Sequence, residues 1–164
     1  SSLANFANAE SAALRKEPRL VMSVKPTEIA EKSGGYDHHD VPALLRHAGL
    51  RPTRQRLALG GLLFCGGDRH VTAEQLHAEV SALGEHVSLA TVYNTLHQFK
   101  KAGLVRELAI DGARAYFDTN TSNHNHFLLE SSGDLMDIPG DSIRVDGVPQ
   151  PPEGLRITHV DVVV

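Results

Sequence analysis

The chain has 164 residues, 41% of them hydrophobic, with 16 Lys and Arg against 20 Asp and Glu and a formal net charge of -4. That is room for one ordinary domain or two small ones with a buried core, and the acidic balance excludes a uniformly basic nucleic-acid binder, so any DNA contact must come from a local patch. The single cysteine, Cys65, excludes an intrachain disulfide or a CxxC metal pair and fits a reducing, cytoplasmic compartment, and no apolar run approaches the ~20 residues of a membrane span.

Residues 1 to 40 read as a flexible arm of Ala, Ser, Asn, Lys and Glu broken by Pro18, Pro26 and Gly34-Gly35, with a short helix at residues 11 to 16. From Val41 the pattern sharpens. "DVPALLRHAGL" offers Asp40 as N-cap, Pro42 in the first turn and Gly49 as a stop. "TRQRLALGGLLFCGG" carries Leu57, Leu62 and Phe64 in a helical stripe ending at Gly66-Gly67. "TAEQLHAEVSALG" opens on Thr72 and stops at Gly84, with Ala73, Leu76, Val80 and Leu83 at helical spacing. "SLATVYNTLHQFKKAG" has Ser88 as N-cap, Leu89, Val92, Leu96 and Phe99 on one face and Gly103 as C-cap.

Then the period changes to alternation around Asp111-Gly112, a dipeptide that favours a tight hairpin. Helices followed by a two-stranded hairpin predict a winged helix over residues 41–118, its third helix in the DNA major groove and its hairpin the wing. Residues 119–164 hold three short apolar runs, Phe127–Leu129, Leu135–Ile138 and Ile157–Val164, separated by "SSGD" and a Pro-rich stretch. They predict a small dimerisation unit. Its last strand, rich in Val160, Val162, Val163 and Val164, would be an apolar edge that a second chain could cover. The fold class expected is α+β: a winged-helix DNA-binding domain, then a small α/β dimerisation domain.

Cations gather where a duplex would lie. Arg46, Arg51, Arg54 and Arg56 flank a helix start, Lys100 and Lys101 end the third helix, and Arg106 and Arg114 fall on the wing strands. Thr91, Tyr93, Asn94 and His97 form the polar face of that helix, with groups able to touch thymine methyls or pair with adenine. A solvated helix face would look the same from pattern alone.

In "NHNHFLLE", His124 and His126 are two apart in an apolar run. On a strand they share a face, which suits a pair of metal ligands or two polar residues on the wet side of a sheet. No nucleophile elbow, phosphate loop or HExxH motif occurs, so no enzyme is expected.

"LRPTRQR", "HVTAEQLH", "SLATVYNTLHQFKKAGLVRE" and "FDTNTSNHNHFLLE" resemble the ferric uptake regulator family over residues 41 to 164. The missing CxxC pairs, Asp118 in "YFDTN" and the Pro-rich tail are most similar to its iron response regulator branch. The resemblance implies a homodimeric regulator that binds double-stranded operator DNA and controls iron and haem genes. It implies a sensory site at His70, Asp118, His124, His126 and Asp137. Three imidazoles and two carboxylates suit Fe(II), Mn(II) or Zn(II). Haem at His124 and His126 is a further option, because imidazole is also a haem ligand. The positions that serve a second site in the family are Asn123 and Asn125 here, poor ligands. Two alternatives stand beside this reading: a peroxide sensor using the same three His and two Asp, and a metal storage or carrier protein with no DNA role.

Overall fold

The computed structural model describes residues 19–26, 40–110 and 114–164. Its α-helices are α1 (Val41–His47), α2 (Arg54–Phe64), α3 (Ala73–Ala82) and α4 (Leu89–Lys101). Its strands are β1 (Arg19–Pro26), β2 (His70–Val71), β3 (Arg106–Ala109), β4 (Ala115–Asp118), β5 (His124–Leu129), β6 (Asp134–Pro139) and β7 (Leu155–Val163). The expected helix at 11 to 16 and the Asp111-Gly112 turn lie outside the described residues.

Short polar side chains start the helices. Asp40 Oδ1 accepts the Ala43 N–H at 3.0 Å, and Thr53, Thr72 and Ser88 each accept from the third residue on. At α3 the cap is reciprocal: Gln75 reaches back to the Thr72 N–H at 2.8 Å. Gly49, Gly84 and Gly103 follow three of the helices at φ of 76°, 79° and 76°, a conformation an L side chain resists.

Leu45, Leu59, Leu63, Leu76, Val80, Val92, Leu96 and Phe99 fill the helical core, each with no exposed surface. Burying side chains of this size stabilises by roughly 1.5–3 kcal/mol apiece. The buried stripe of α2 is Leu59, Gly60, Leu63 and Phe64, whereas the expected Leu57 and Leu62 are only half-buried. Leu89, expected in the buried stripe of α4, is exposed, and Thr95 is buried instead.

Two sheets follow from the strands. One has the order β2-β4-β3, so the hairpin gains a third strand from the segment before α3. The other has the order β1-β7-β5-β6. β5 and β6 are antiparallel with His126 opposite Asp137 and Phe127 opposite Met136, and β7 runs parallel to β5. Residues 119–164 contain β5, β6, β7 and one 3-10 turn, Gly140–Ser142, so the unit expected to be α/β has no α-helix. A satellite apolar cluster of Leu108, Ile110, Tyr116, Leu135 and Val163 packs the hairpin against this sheet.

Two expectations need correcting. The arm is not wholly without structure, since β1 pairs with β7 over its full length, from Arg19 opposite Val163 to Pro26 opposite Leu155. The edge at Val160–Val163 is therefore already covered from within the chain, and Val162 and Val163 are buried. The reason is ordinary: an unpaired strand edge takes the nearest available partner. On the face of the sheet, Phe127, Leu129 and Met136 are exposed, and Val164 is exposed after β7.

Removing residues 1–26 should uncover β7. Amides between Ile157 and Val163 should then exchange faster, and each kcal/mol lost should lower the thermal midpoint by about 2–4 °C. Unchanged protection of β7 would contradict the pairing.

Candidate metal centre

The site forms where the hairpin sheet meets the second sheet. Strand β2 places His70 opposite Asp118 of β4, locked by Thr119 N–H to Arg69 O at 3.1 Å and Arg69 N–H to Thr119 Oγ1 at 2.8 Å. Strand alternation puts His124, His126 and Leu128 on the inner face of β5 and Phe127 and Leu129 on the outer one. Asp137 stands directly across from His126 on β6. All five residues named from sequence are thus brought together.

The ring nitrogens converge on two carboxylates. Asp118 Oδ2 lies 3.0 Å from His124 Nε2 and 3.4 Å from His126 Nε2, and Oδ1 lies 3.6 Å from His70 Nε2. Asp137 Oδ1 lies 2.9, 3.4 and 3.9 Å from the Nε2 atoms of His70, His124 and His126. Ligand atoms of His70, His124, His126 and Asp137 fall within 4.8 Å of one another. His70 Nε2 is buried and makes no hydrogen bond despite its carboxylate neighbours. A buried ring nitrogen left without a hydrogen-bond partner is costly, and an unprotonated imidazole nitrogen whose lone pair meets a cation avoids that cost. The residues therefore fit a divalent ion.

Surrounding groups hold the donors in place. His124 Nδ1 is 2.9 Å from Ser122 O; donating there leaves the Nε2 lone pair facing the cluster. Asn120 binds both carboxylates, its backbone N–H to Asp118 Oδ1 at 2.8 Å and its side-chain amide to Asp137 Oδ2 at 3.1 Å. Sequence reasoning missed Asn120, although the Asp-Thr-Asn spacing is the signature of an Asx turn. A cleft of about 230 Å³, lined by residues that include Asp68, His70, Gln75 and Asp134, lies beside the site on the His70 side. Asn125, discounted as a ligand, is buried and accepts the Val162 N–H at 2.9 Å.

Arg106 is the largest departure. Expected on the wing facing a duplex, it is buried in the site. Its guanidinium donates to Asn120 O at 3.2 Å, Asp161 Oδ1 at 3.1 Å and Asp118 Oδ2 at 3.1 Å. Strand period explains this, since Arg106 shares a face with buried Leu108.

Three of the other cations have local partners. Arg54 grips Glu85 with two N–H groups at 3.1 and 3.3 Å, Arg56 binds Gln98 and the Arg51 carbonyl, and Lys100 pairs with Glu107. Exposed pairs of this kind are worth little and exchange readily for phosphate. Arg51, Asn94 and Arg114 are exposed, whereas Thr91 and Tyr93 are half-buried. The Thr91 hydroxyl meets Ser88, and the Tyr93 hydroxyl donates to Glu74 at 2.7 Å.

Burial lowers the His70 pKa, against the pull of Asp118 and Asp137. At Asp118 burial raises the pKa, but hydrogen bonds from His126, Asn120 and Arg106 and the charge of His70 outweigh it, and the net direction is down. Both groups are depressed in the fold, so on acidification the unfolded chain takes up each proton first. The stability they contribute is present above the unfolded values and drains as pH falls, from 6.5 downward for His70 and from 3.8 downward for Asp118. In chelator-treated protein, the urea midpoint should fall as pH drops below the ordinary histidine value, and His70→Asn should flatten the fall. An equally steep decline in the variant would contradict this.

Comparison with known proteins follows the same lines. Residues 47–164 match the Ferric uptake regulator family. The peroxide-responsive repressor PerR of Staphylococcus epidermidis is 38% identical over 96 residues, 58% of this chain and 63% of that protein. The PerR of Staphylococcus aureus strain Mu50 is 38% identical over 96 residues, 58% of this chain and 64% of that protein. The chain thus spans a little under two thirds of the length of these curated relatives. Among solved structures, the ferric uptake regulator of Pseudomonas aeruginosa with manganese is 35% identical with a TM-score of 0.54, covering 60% of this chain and 75% of that one. The ferric uptake regulator of Vibrio cholerae is 33% identical with a TM-score of 0.57, covering 63% and 79%. With the family match extending over residues 47–164, this chain belongs to the ferric uptake regulator family.

Proposed function

We propose that this chain is a metal-responsive, DNA-binding transcription regulator whose sensory ion is held by His70, Asp118, His124, His126 and Asp137. The observation that carries the reading is the convergence of three imidazole nitrogens and two carboxylates from both sides of one junction. His70 and Asp118 come from the helical half, and the other three from the sheet half. An ion that binds all five prefers one relative placement of the halves, and that differential affinity is what a switch requires.

In this reading residues 41–118 are the DNA-binding unit, and α4 enters the major groove. Arg51, Arg54, Arg56, Lys100 and Arg114 would meet phosphates, while Thr91, Tyr93 and Asn94 would face bases. Tyr93 would exchange its Glu74 hydrogen bond for the duplex. Residues 119–164 would pair two copies through the exposed face at Phe127, Leu129 and Met136. A helix long and apolar enough to cross a membrane does not occur among the described residues.

The donor set suits Fe(II), Mn(II) or Zn(II), and the Pseudomonas aeruginosa relative is described with manganese. When bound, such an ion supplies a positive centre that neutralises both carboxylates. Iron-responsive control is the finer reading we favour, from the resemblance of Asp118, the HxH pair and the Pro-rich tail to the iron response regulator branch. Haem is a weaker fit at His124 and His126, because both rings are buried with centroids only 4.5 Å apart. Peroxide sensing is the second reading, favoured by the 38% identity to PerR repressors. The exposed cations beside α4 argue against a storage or carrier role.

The test is metal content together with operator binding. His126→Ala should lose most of the metal and the DNA response. His70→Ala should retain weaker metal binding on the sheet half but lose the coupling to DNA. Full metal content in His126→Ala would place the ion elsewhere, and equal losses in both variants would remove the coupling between the two halves.

A further inference from the structure

The buried guanidinium of Arg106 has no part in the metal reading above, yet it sits among the ligands. It leaves β3 of the helical half and reaches Asp161 on β7 of the sheet half, 55 residues away. Arg106, Asp118 and Asp161 are all buried. Removing a charge from water on this scale is tolerated only when it is paired and hydrogen-bonded. The guanidinium meets that demand on both sides, with one arm on Asp118 and one on Asp161. Its Nη2 also lies 3.2 Å from both ring nitrogens of His124. One guanidinium nitrogen cannot align well with both ring nitrogens at once, so neither contact holds His124 as firmly as the carboxylates hold Arg106.

The charges complete the argument. Asp118, Asp137 and Asp161 against Arg106 leave two uncompensated negative charges, the charge of one divalent ion. We propose that Arg106 is a resident cation that ties the two halves together through Asp118 and Asp161 without metal, and that competes with the ion for Asp118. It would set how much of the closed arrangement depends on metal. The competitive part rests on the metal reading, whereas the tie does not.

Arg106→Gln alone leaves Asp161 buried without its partner, so the decisive variant is Arg106→Gln with Asp161→Asn, which removes both charges. Circular dichroism checks its fold. Co(II), followed by its visible absorption, should bind the double variant about tenfold more tightly than wild type, because Asp118 is released from its guanidinium partner while the net charge of the site is unchanged. In chelator-treated protein, amides of residues 119–124 should exchange faster in the double variant than in wild type, and Asp161→Asn alone should reproduce that effect. Equal or weaker Co(II) binding in the folded double variant would overturn the competition, and unchanged exchange would overturn the tie. If wild type takes up no Co(II), the metal reading itself fails and the exchange measurement decides the tie alone.

Discussion

The molecule is organised around one carboxylate. Asp118 has no exposed surface, and a buried carboxylate persists only when its charge is met. It is met from every side: the Asn120 N–H, the Arg106 guanidinium and the imidazoles of His70, His124 and His126. These partners come from both halves of the chain. Satisfying Asp118 therefore means bringing the helical half against the sheet half, and the satellite cluster of Leu108, Tyr116, Leu135 and Val163 seals the junction beside it.

The same arrangement explains why a metal would matter. Attraction to Arg106 alone leaves Asp137 and the three imidazoles facing each other without a cation between them. His70 Nε2 sits 2.9 Å from Asp137 without hydrogen-bond alignment, a contact that an intervening ion improves. Asn120 positions both carboxylates at once, so rotation of one disturbs the other. In the proposed reading, control of α4 would depend on how firmly β4, which ends on Asp118, is held against β5.

Much of this was legible in the sequence. Asp40, Thr72 and Ser88 announced their helices because capping is a local bargain between a side chain and the backbone three residues on. The HxH pair was legible because strand period alone puts both rings on one face. The face of α2 was not, since Leu57, Leu59, Leu62 and Leu63 make it apolar nearly all round and periodicity cannot choose a side. The pairing of β1 with β7, from Arg19 opposite Val163 to Pro26 opposite Leu155, joins segments far apart in the chain, beyond the reach of any local pattern. Arg106 was misplaced because a cation on a wing strand ordinarily faces solvent; only its register with Leu108 hinted otherwise, and its partner Asp161 lies far along the chain. Resemblance to the family supplied the ligand set, which spacing alone left open.

The central claim is that one ion joins residues from both halves. Anomalous diffraction from crystals loaded with Mn(II) tests it most directly. The account predicts one strong peak within bonding distance of the Nε2 atoms of His70, His124 and His126 and of oxygens from Asp118 and Asp137. A peak that excludes His70, or one outside the junction, would contradict it.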